Sequence, residues 1–118
     1  MTHFIKDVRR DLKAPDLPFV IGALGQNGSK PAEGTTLVVR EAQLSMNEVP
    51  EFKGSVKAFR TDVLVDKEAE KLIVNWKDHV EEWKKVGSDR AYHYYGSGIW
   101  FSRIGNGFGE AMLGLMEE

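Results

Sequence analysis

The apolar residues at the start of the chain change their spacing once, from a helical period to an unbroken run. In the first dozen residues they recur every three or four positions among charged side chains, which predicts an amphipathic helix that ends before Pro15. The helical stripe comprises Phe4, Ile5, Val8 and Leu12. The run LPFVIGAL at residues 17–24 is apolar throughout, as in parallel strands that are covered on both faces. We therefore predict a central strand there, followed by the glycine-rich loop GQNGSKPAEG at residues 25–34.

A second strand is predicted at residues 55–65, where SVKAFRTDVLV alternates loosely between apolar and polar positions. Between the two strands, LVVREAQLSMNEV predicts a helix that Thr35 or Thr36 caps and that Pro50 ends. A strand, a helix and a second strand in this order form a βαβ unit, in which the strands are parallel.

Two more helices are predicted after the second strand. The longer covers residues 67–86, where apolar residues keep helical spacing opposite a face of Lys and Glu. The last helix carries a stripe made of Trp100, Ile104, Phe108, Ala111, Met112 and Leu115. Its glycines, Gly105, Gly107 and Gly109, each cost about 1 kcal/mol relative to alanine, so we expect close packing against a neighbour or a frayed first turn.

The pattern predicts four helices but only two strands. Two strands are too few for an ordinary parallel sheet, because sheets have about five strands on average. The pattern therefore predicts part of a larger α/β fold, with residues 1–118 forming either one domain or the C-terminal fragment of one.

Composition and charge exclude several classes of function but do not identify one. The chain has 118 residues and a net charge of -2, with acids and bases interleaved, which leaves no basic face for nucleic acid. No apolar run approaches the roughly 18 residues of a membrane span, and the N-terminal residues do not show the apolar core of a signal peptide. The absence of cysteine excludes disulfides and thiolate nucleophiles. His79 and Glu82 lie one helical turn apart without further ligands nearby, so we expect an exposed helix face and neither a metal nor a cofactor.

Polar residues that follow the two predicted strands define a candidate site. In open α/β sheets, ligands bind outside the carboxyl ends of the strands. The first strand leads to Gln26 and Asn27, the second leads to Asp62, and the loop SDRAYHYYGSG, with Asp89 and His93, could close over the same edge. A histidine, a carboxylate and amide donors beside a nucleophile are the groups that acyl transfer needs.

Five segments, taken in order, resemble a known family. They are FIKDVRRDL, LPFVIGALG, VREAQ, SDRAYHYYGSG and RIGNGFGEAML, and they resemble the C-terminal part of sialate O-acetylesterase-like carbohydrate esterases of the SGNH hydrolase superfamily. The resemblance implies a three-layer α/β/α sandwich of the SGNH or flavodoxin-like type, of which this chain would form a C-terminal portion. It implies that a serine in a GQSN-like motif attacks an acetyl ester on a sugar. It also implies that His93 matches the catalytic histidine of the family, whose members are often periplasmic or extracellular.

Two departures from the family pattern bear on activity. Asp89 precedes His93 by four residues, whereas the family commonly has an aspartate three residues before the histidine, so Asp62 stays an alternative acid. Asn27 in GQNG stands where the serine of GQSN would be, and an amide is not a competent nucleophile. We therefore expect a C-terminal fragment, a separately encoded half or a truncated product, inactive alone. It would act on acetylated carbohydrate only when a missing N-terminal half complements it, whereas an inactive remnant could form a homodimer that joins sheet edges.

Other interpretations of the same residues stay open at this stage. The chain could be a non-catalytic remnant with a binding or scaffold role, or a small complete esterase that uses Ser29, Ser88 or Ser97. Gln26 and Asn27 could bind a sugar hydroxyl or a carbonyl oxygen, or simply form a turn. Arg40 and Gln43 could reach the site or form a polar helix face. The three tryptophans could stack on sugars or pack in the core; they are Trp76, Trp83 and Trp100. At least one of Tyr92, Tyr94 and Tyr95 should pack inward and bond through its hydroxyl.

Overall fold

A pair of parallel strands lies at the centre of the computed structural model, which describes residues 1–89 and 92–117. Strand β1 (Phe19–Ala23) pairs with β2 (Val56–Arg60), so that Phe19 lies opposite Val56 and Ala23 opposite Arg60. The α-helices are α1 (Thr2–Asp11), α2 (Gly34–Leu44), α3 (Lys67–Leu72), α4 (Val80–Trp83) and α5 (Gly98–Glu117). Short 3₁₀ segments lie at Ser45–Glu48, Pro50–Phe52, Asp62–Leu64, Ile73–Asp78 and Tyr94–Gly96. The predicted parallel βαβ unit and the mixed α/β class are confirmed.

Apolar side chains cover both faces of the strand pair. Successive residues of a strand point to opposite faces, and Ile21 belongs to one cluster while its neighbour Gly22 lies against the ring of Phe108 on α5. The first cluster contains Ile5, Ile21, Met46, Phe52, Val56 and Ala58. The second contains Val65, Ala69, Trp83, Tyr95, Trp100 and Ile104. β1 is therefore covered on both faces as predicted, with Ile21 and Ala23 buried, whereas β2 exposes Lys57 and Arg60. Two strands are not the wide sheet of a complete three-layer sandwich.

The predicted helix at residues 67–86 is wrong as a single element. It is divided into α3, a 3₁₀ segment and α4, and the backbone leaves helical geometry at Asn75 (φ -138°, ψ 37°) and His79 (φ -134°, ψ 48°). Trp83 is fully buried, and Trp76 packs against it with ring centroids 6.0 Å apart. A broken helix can keep the same three-to-four spacing of apolar residues, so the period alone does not reveal the break.

Helix α2 begins before the predicted caps. Its first residue is Gly34 and its N-cap is Glu33, which makes no side-chain capping bond, so Thr35 and Thr36 lie inside the first turn. The predicted end is also too late, because the α-helix stops at Leu44 and Ser45–Glu48 continues as a 3₁₀ segment.

Helix α5 is the longest described helix, and its glycines serve different purposes. A Cβ added at Gly107 would lie 2.8 Å from the ring of Phe59, whereas one at Gly105 or Gly109 would meet nothing within 4 Å. The close packing predicted for these glycines is right for Gly107 alone, and the frayed first turn is wrong because α5 begins at Gly98. The predicted stripe is buried at Trp100 and Ile104 but half-buried or exposed further on. Within residues 1–89 and 92–117, no helix has both the length and the apolarity required to cross a membrane.

Candidate active site

The carboxyl ends of β1 and β2 are tied together by Thr61. Its hydroxyl is buried and donates a hydrogen bond to the carbonyl oxygen of Ala23 at 2.7 Å. Gly25 lies so close that a Cβ there would come within 2.5 Å of Thr61 Oγ1 and against the backbone nitrogen of Asp62. Any other residue at position 25 would force the two chain segments apart, which explains a glycine directly after the first strand.

The histidine loop turns sharply over this edge. His93, Tyr94 and Tyr95 all have φ between 55° and 59°, in the left-handed region that costs a residue other than glycine about 1 kcal/mol or more. Three consecutive residues in this conformation persist only where tertiary contacts hold them. The contacts are made by the two tyrosines that follow the histidine.

Tyr94 connects the histidine loop to both strand ends. Its hydroxyl lies 3.0 Å from Thr61 Oγ1 and accepts the backbone N–H of Gly25 at 3.2 Å. Because the single proton of Thr61 Oγ1 is donated to Ala23, Tyr94 donates to Thr61. The ring of Tyr94 packs edge-on against Trp100 at 4.9 Å, and Trp100 Nε1 donates to the carbonyl oxygen of Thr61 at 2.8 Å. The prediction that a tyrosine packs inward and bonds through its hydroxyl is confirmed, as is the core position of Trp100.

His93 opens onto a cavity of about 290 Å³ that also includes two of the predicted site residues. The lining consists of Gln26, Asn27, Lys30, Tyr92, His93 and Tyr95. His93 is exposed, and the ring of Tyr92 stands edge-on to it with centroids 4.7 Å apart. The loop after β1 and the histidine loop therefore meet, as the sequence predicts, and we call this space the histidine cavity.

Glu70 on α3 fixes the loop that carries Gln26 and Asn27, because it binds Ser29 of that loop. The carboxylate of Glu70 accepts the backbone N–H of Ser29 at 2.6 Å and its hydroxyl at 2.8 Å, and it pairs with Lys67 at 3.1 Å. Burial opposes ionisation of Glu70, yet the two Ser29 bonds and Lys67 together lower its pKa below the ordinary value. Gly28 has φ +60°, and a Cβ there would lie 2.5 Å from Glu70 Oε1. Burial of Tyr95, helped by the charge of Glu70, raises the pKa of its hydroxyl.

Asp62 lies in a second, adjacent cavity. Its carboxylate is 7% exposed and accepts both Arg60 Nε, at 3.0 Å, and Arg60 Nη2, with Arg40 Nη1 at 3.4 Å. The bonds from Arg60 lower the pKa of Asp62 although burial raises it, and the charge of Arg40 adds to the lowering. Asp62 does not line the histidine cavity.

Asp89 is exposed, and among residues 1–89 and 92–117 no hydrogen bond or ion pair joins it to His93. Residues 90 and 91, which connect them, lie outside the described part of the chain. The pairing of His93 with either Asp89 or Asp62 stays a prediction.

The three candidate serines have different surroundings. Ser97 is fully buried; its hydroxyl donates to Asp66 Oδ2 at 2.7 Å and accepts the backbone N–H of Trp100. Ser29 is bonded to Glu70 and contacts Lys67 Nζ. Ser88 lines a cavity together with His93, Tyr92, Gly96 and Phe101, and its backbone N–H donates to the carbonyl oxygen of Tyr95.

The structure gives roles to two residues that the sequence left open and to one that it missed. Gln43 Oε1 accepts the backbone N–H of Leu24 at 2.7 Å, and Arg40 pairs with Asp62, so both reach the strand ends and the reading as a polar helix face is wrong. Glu70 was not predicted at all, since contacts between a loop and a helix 41 residues later leave no periodic pattern. His79 is exposed as expected, and the described residues include no cluster of three or more possible metal ligands.

The fold and the site together define a mixed α/β protein with a histidine loop over the carboxyl ends of parallel strands. Residues 1–72 match the family model described as carbohydrate esterase, sialic acid-specific acetylesterase. This is more than half of the chain, and the protein belongs to this family of sialate O-acetylesterase-like carbohydrate esterases. The match ends before His93, whose assignment rests on the resemblance of its own loop. No curated protein and no solved structure matched the chain.

Proposed function

We propose that this chain supplies the general-base histidine of a carbohydrate O-acetylesterase, and that His93 is that base. The observation that carries the proposal is the strained turn at residues 93–95, which Tyr94 fixes to both strand ends and which places His93 on a cavity with Gln26 and Asn27. Strained backbone that the surrounding contacts hold in place is concentrated at active sites. Membership in the carbohydrate esterase family gives the reaction class.

In the proposed reaction, His93 removes the proton of a serine hydroxyl as the serine oxygen attacks the acetyl carbonyl carbon. The carbon–oxygen bond to the sugar then breaks, and the imidazolium returns the proton to the departing sugar oxygen. Water, activated by the same imidazole, releases acetate from the acyl-serine and restores the hydroxyl. The amide side chains of Gln26 and Asn27 are suited to donate hydrogen bonds to the carbonyl oxygen or a sugar hydroxyl. No metal or cofactor takes part in this scheme.

For the acid that orients His93 we favour Asp89 over Asp62. The carboxylate of Asp62 already accepts bonds from Arg60 and pairs with Arg40, and it lines a different cavity. Asp89 is close to His93 in the chain. Its departure from the family spacing makes its substitution an informative test.

The serine, in this proposal, comes from a polypeptide segment other than residues 1–118. The sequence has no GQSN-like motif, since GQNG carries Asn27 at the position of the nucleophile. The hydroxyl of Ser97 is hydrogen-bonded to Asp66, and the hydroxyl of Ser29 is hydrogen-bonded to Glu70. Neither serine lines the histidine cavity. The scaffold role for a non-catalytic remnant predicts instead that no partner restores activity.

A second candidate function is a self-contained esterase with Ser88 as nucleophile, because Ser88 and His93 line the same cavity of about 420 Å³. Hydrolysis of p-nitrophenyl acetate separates the candidates. We expect no turnover above buffer from the isolated chain. Turnover that is lost in both Ser88→Ala and His93→Asn would instead establish the self-contained enzyme, and a chain that stays inactive with every serine-bearing partner from the same genome would favour the scaffold role.

A further inference from the structure

A cleft at the amino ends of the strands, opposite the end that carries the histidine loop, contains four cations. Its volume is about 420 Å³. The cations are Lys6, Arg9, Arg10 and Lys13, and they share the cleft with one acid, Glu51. The position follows from Arg9, whose side chain binds the carbonyl oxygens of Leu17, just before β1, and Ser55, directly before β2. We call this space the amino-end cleft.

Two cations of the amino-end cleft have acidic partners and two do not. Lys6 pairs with Glu51 at 2.8 Å, and Arg10 pairs with two aspartates of its own helix at 2.6 and 3.0 Å. Within residues 1–89 and 92–117, no ion pair includes Arg9 or Lys13. The cleft therefore holds two positive charges that the described part of the protein does not neutralise.

The guanidinium of Arg9 is fixed in place with one nitrogen left over. Its Nε and Nη2 donate to the carbonyl oxygen of Leu17 at 3.0 and 2.8 Å, and Nη2 also binds Ser55. The group lies over the rings of Phe19 and Phe52, 5.8 and 5.5 Å from their centroids. No described residue accepts a hydrogen bond from Arg9 Nη1, and this atom is not fully buried. A guanidinium held in this way can bind an external oxyanion without further ordering.

Lys13 occupies a backbone position at which glycine is the usual residue. Helix α1 ends in a Schellman motif, since the Ala14 N–H donates to the carbonyl oxygen of Arg9 at 2.9 Å and the Lys13 N–H donates to that of Arg10 at 3.1 Å. Lys13 has φ 53°, and the other described residues with a positive φ, glycine apart, are the three of the histidine turn. The helix dipole does not require this charge, because Arg9 and Arg10 already lie in the last turn. Such strained residues are concentrated at functional sites.

We propose that the amino-end cleft binds a phosphate dianion, either free or carried by a phosphate monoester, between Arg9 and Lys13. Phosphate oxygens accept short charge-assisted hydrogen bonds from guanidinium and ammonium groups. The two cations without acidic partners match the double charge of phosphate, whereas a carboxylate has a single charge and would leave one cation unpaired. The site lies at the opposite end of the strands from the histidine cavity, so binding requires neither His93 nor a serine.

The experiment is an NMR titration of the intact chain at about pH 7.5 and low ionic strength, where a phosphate monoester is mainly a dianion. The probes are inorganic phosphate, phenyl phosphate and dimethyl phosphate, which carries one charge. We expect the two dianions to bind at least about tenfold more tightly than dimethyl phosphate and to shift the amide signals of Lys13 and Ala14. Tighter binding of phenyl phosphate than of inorganic phosphate would support a monoester as the ligand, and the reverse order would support free phosphate.

Two substitutions of Lys13 separate binding from stability. Lys13→Gln keeps the left-handed backbone but removes the charge, so it should weaken phosphate about tenfold without raising the urea midpoint. Lys13→Gly should weaken phosphate equally and raise the midpoint measured without phosphate, because glycine adopts this conformation without strain. Lys71→Gln is the matched control, since Lys71 is an exposed lysine on α3 that does not line the cleft. Lys30→Gln, in the cavity around Asp62, should also bind phosphate normally.

Unchanged phosphate affinity in both Lys13 variants, or equal affinity for phosphate and dimethyl phosphate, would overturn the inference. Loss of binding in Lys30→Gln with retention in Lys13→Gln would also overturn it, because phosphate would then occupy the cavity around Asp62. A lower urea midpoint in Lys13→Gly would contradict the strain at Lys13. His93→Asn should bind phosphate normally, so failure of this inference and failure of the esterase proposal give different results.

Discussion

Replacing Tyr94 with phenylalanine tests whether the histidine loop is held to the strand ends as described. The change removes one hydroxyl that donates to Thr61 Oγ1 and accepts the Gly25 N–H. Each hydrogen bond contributes about 1 kcal/mol, and the Gly25 N–H, part-buried, is left without its partner at a cost of about 1–3 kcal/mol. The ring contacts with Trp100 and Phe101 survive, because phenylalanine keeps the ring. We expect a loss of about 2 kcal/mol in the free energy of unfolding.

Urea denaturation followed by tryptophan fluorescence measures this loss as a lower midpoint with an unchanged slope. Tyr92→Phe is the matched control: Tyr92 is 56% exposed and has no described hydrogen bond through its hydroxyl, so its stability should change by less than about 0.5 kcal/mol. Equal effects of Tyr94→Phe and Tyr92→Phe would refute the reasoning, since the loop would then not depend on the Tyr94 hydroxyl.

Three further predictions concern stability and use the same denaturation assay. Gly105→Ala should stabilise the protein by about 0.5–1 kcal/mol, whereas Gly107→Ala should not, because its Cβ would press on an aromatic ring at 2.8 Å. Asp62→Asn should cost about 1–3 kcal/mol at neutral pH, since it removes the charge that Arg60 and the half-buried Arg40 share and leaves Arg40 with Glu41, at 3.6 Å, as its acidic neighbour. The lowered pKa of Asp62 means that its stabilisation is present above its unfolded pKa, close to 3.8, and is lost as the pH falls through the folded value, so the variant should lose less stability on acidification than the wild type. Ser97→Ala should cost about 2 kcal/mol, because it removes a buried bond to a carboxylate and the cap of α5.

Each of these predictions has an outcome that contradicts it. Equal effects of alanine at positions 105 and 107 would mean that α5 does not pack on the sheet at Gly107. If Asp62→Asn and the wild type lost the same amount of unfolding free energy on acidification, Asp62 would not be ion-paired in solution. If Ser97→Ala left the free energy of unfolding unchanged, Ser97 would be an accessible serine and not a structural one.

β1 was predictable because a strand that is covered on both faces leaves an unbroken apolar run, as residues 17–24 do, and β2 was predictable from the loose alternation at residues 55–65. The rule that parallel strands present their carboxyl ends at one edge predicts that Gln26 and Asn27 lie there. It does not by itself bring His93 to them, because the histidine loop follows no strand, and Asp62, which the rule also groups there, lines a different cavity. The break at Asn75 was not predictable, because three-to-four spacing is the same on either side of a kink. The tie between Tyr94 and Thr61 was not predictable either, since it depends on three residues in left-handed geometry, a conformation that tyrosine and histidine rarely adopt.

The charged cluster around Asp62 was not predictable from the sequence either. Arg40, Arg60 and Asp62 come from α2, β2 and the segment after β2, and their convergence follows from the chain crossing between the strands. In sequence, each is an ordinary charged residue. Only the fold shows that they surround one space beside His93.

The central claim is that His93 acts as the base for a serine on another polypeptide segment. Its most direct test is acetate release from p-nitrophenyl acetate by the chain mixed with a separately expressed polypeptide that carries a GQSN-like turn from the same family. The account predicts turnover only in the mixture, reduced at least about 100-fold by His93→Asn. His79→Asn, a change at an exposed histidine outside the site, should leave it unchanged. Turnover in the mixture that survives His93→Asn would contradict the claim.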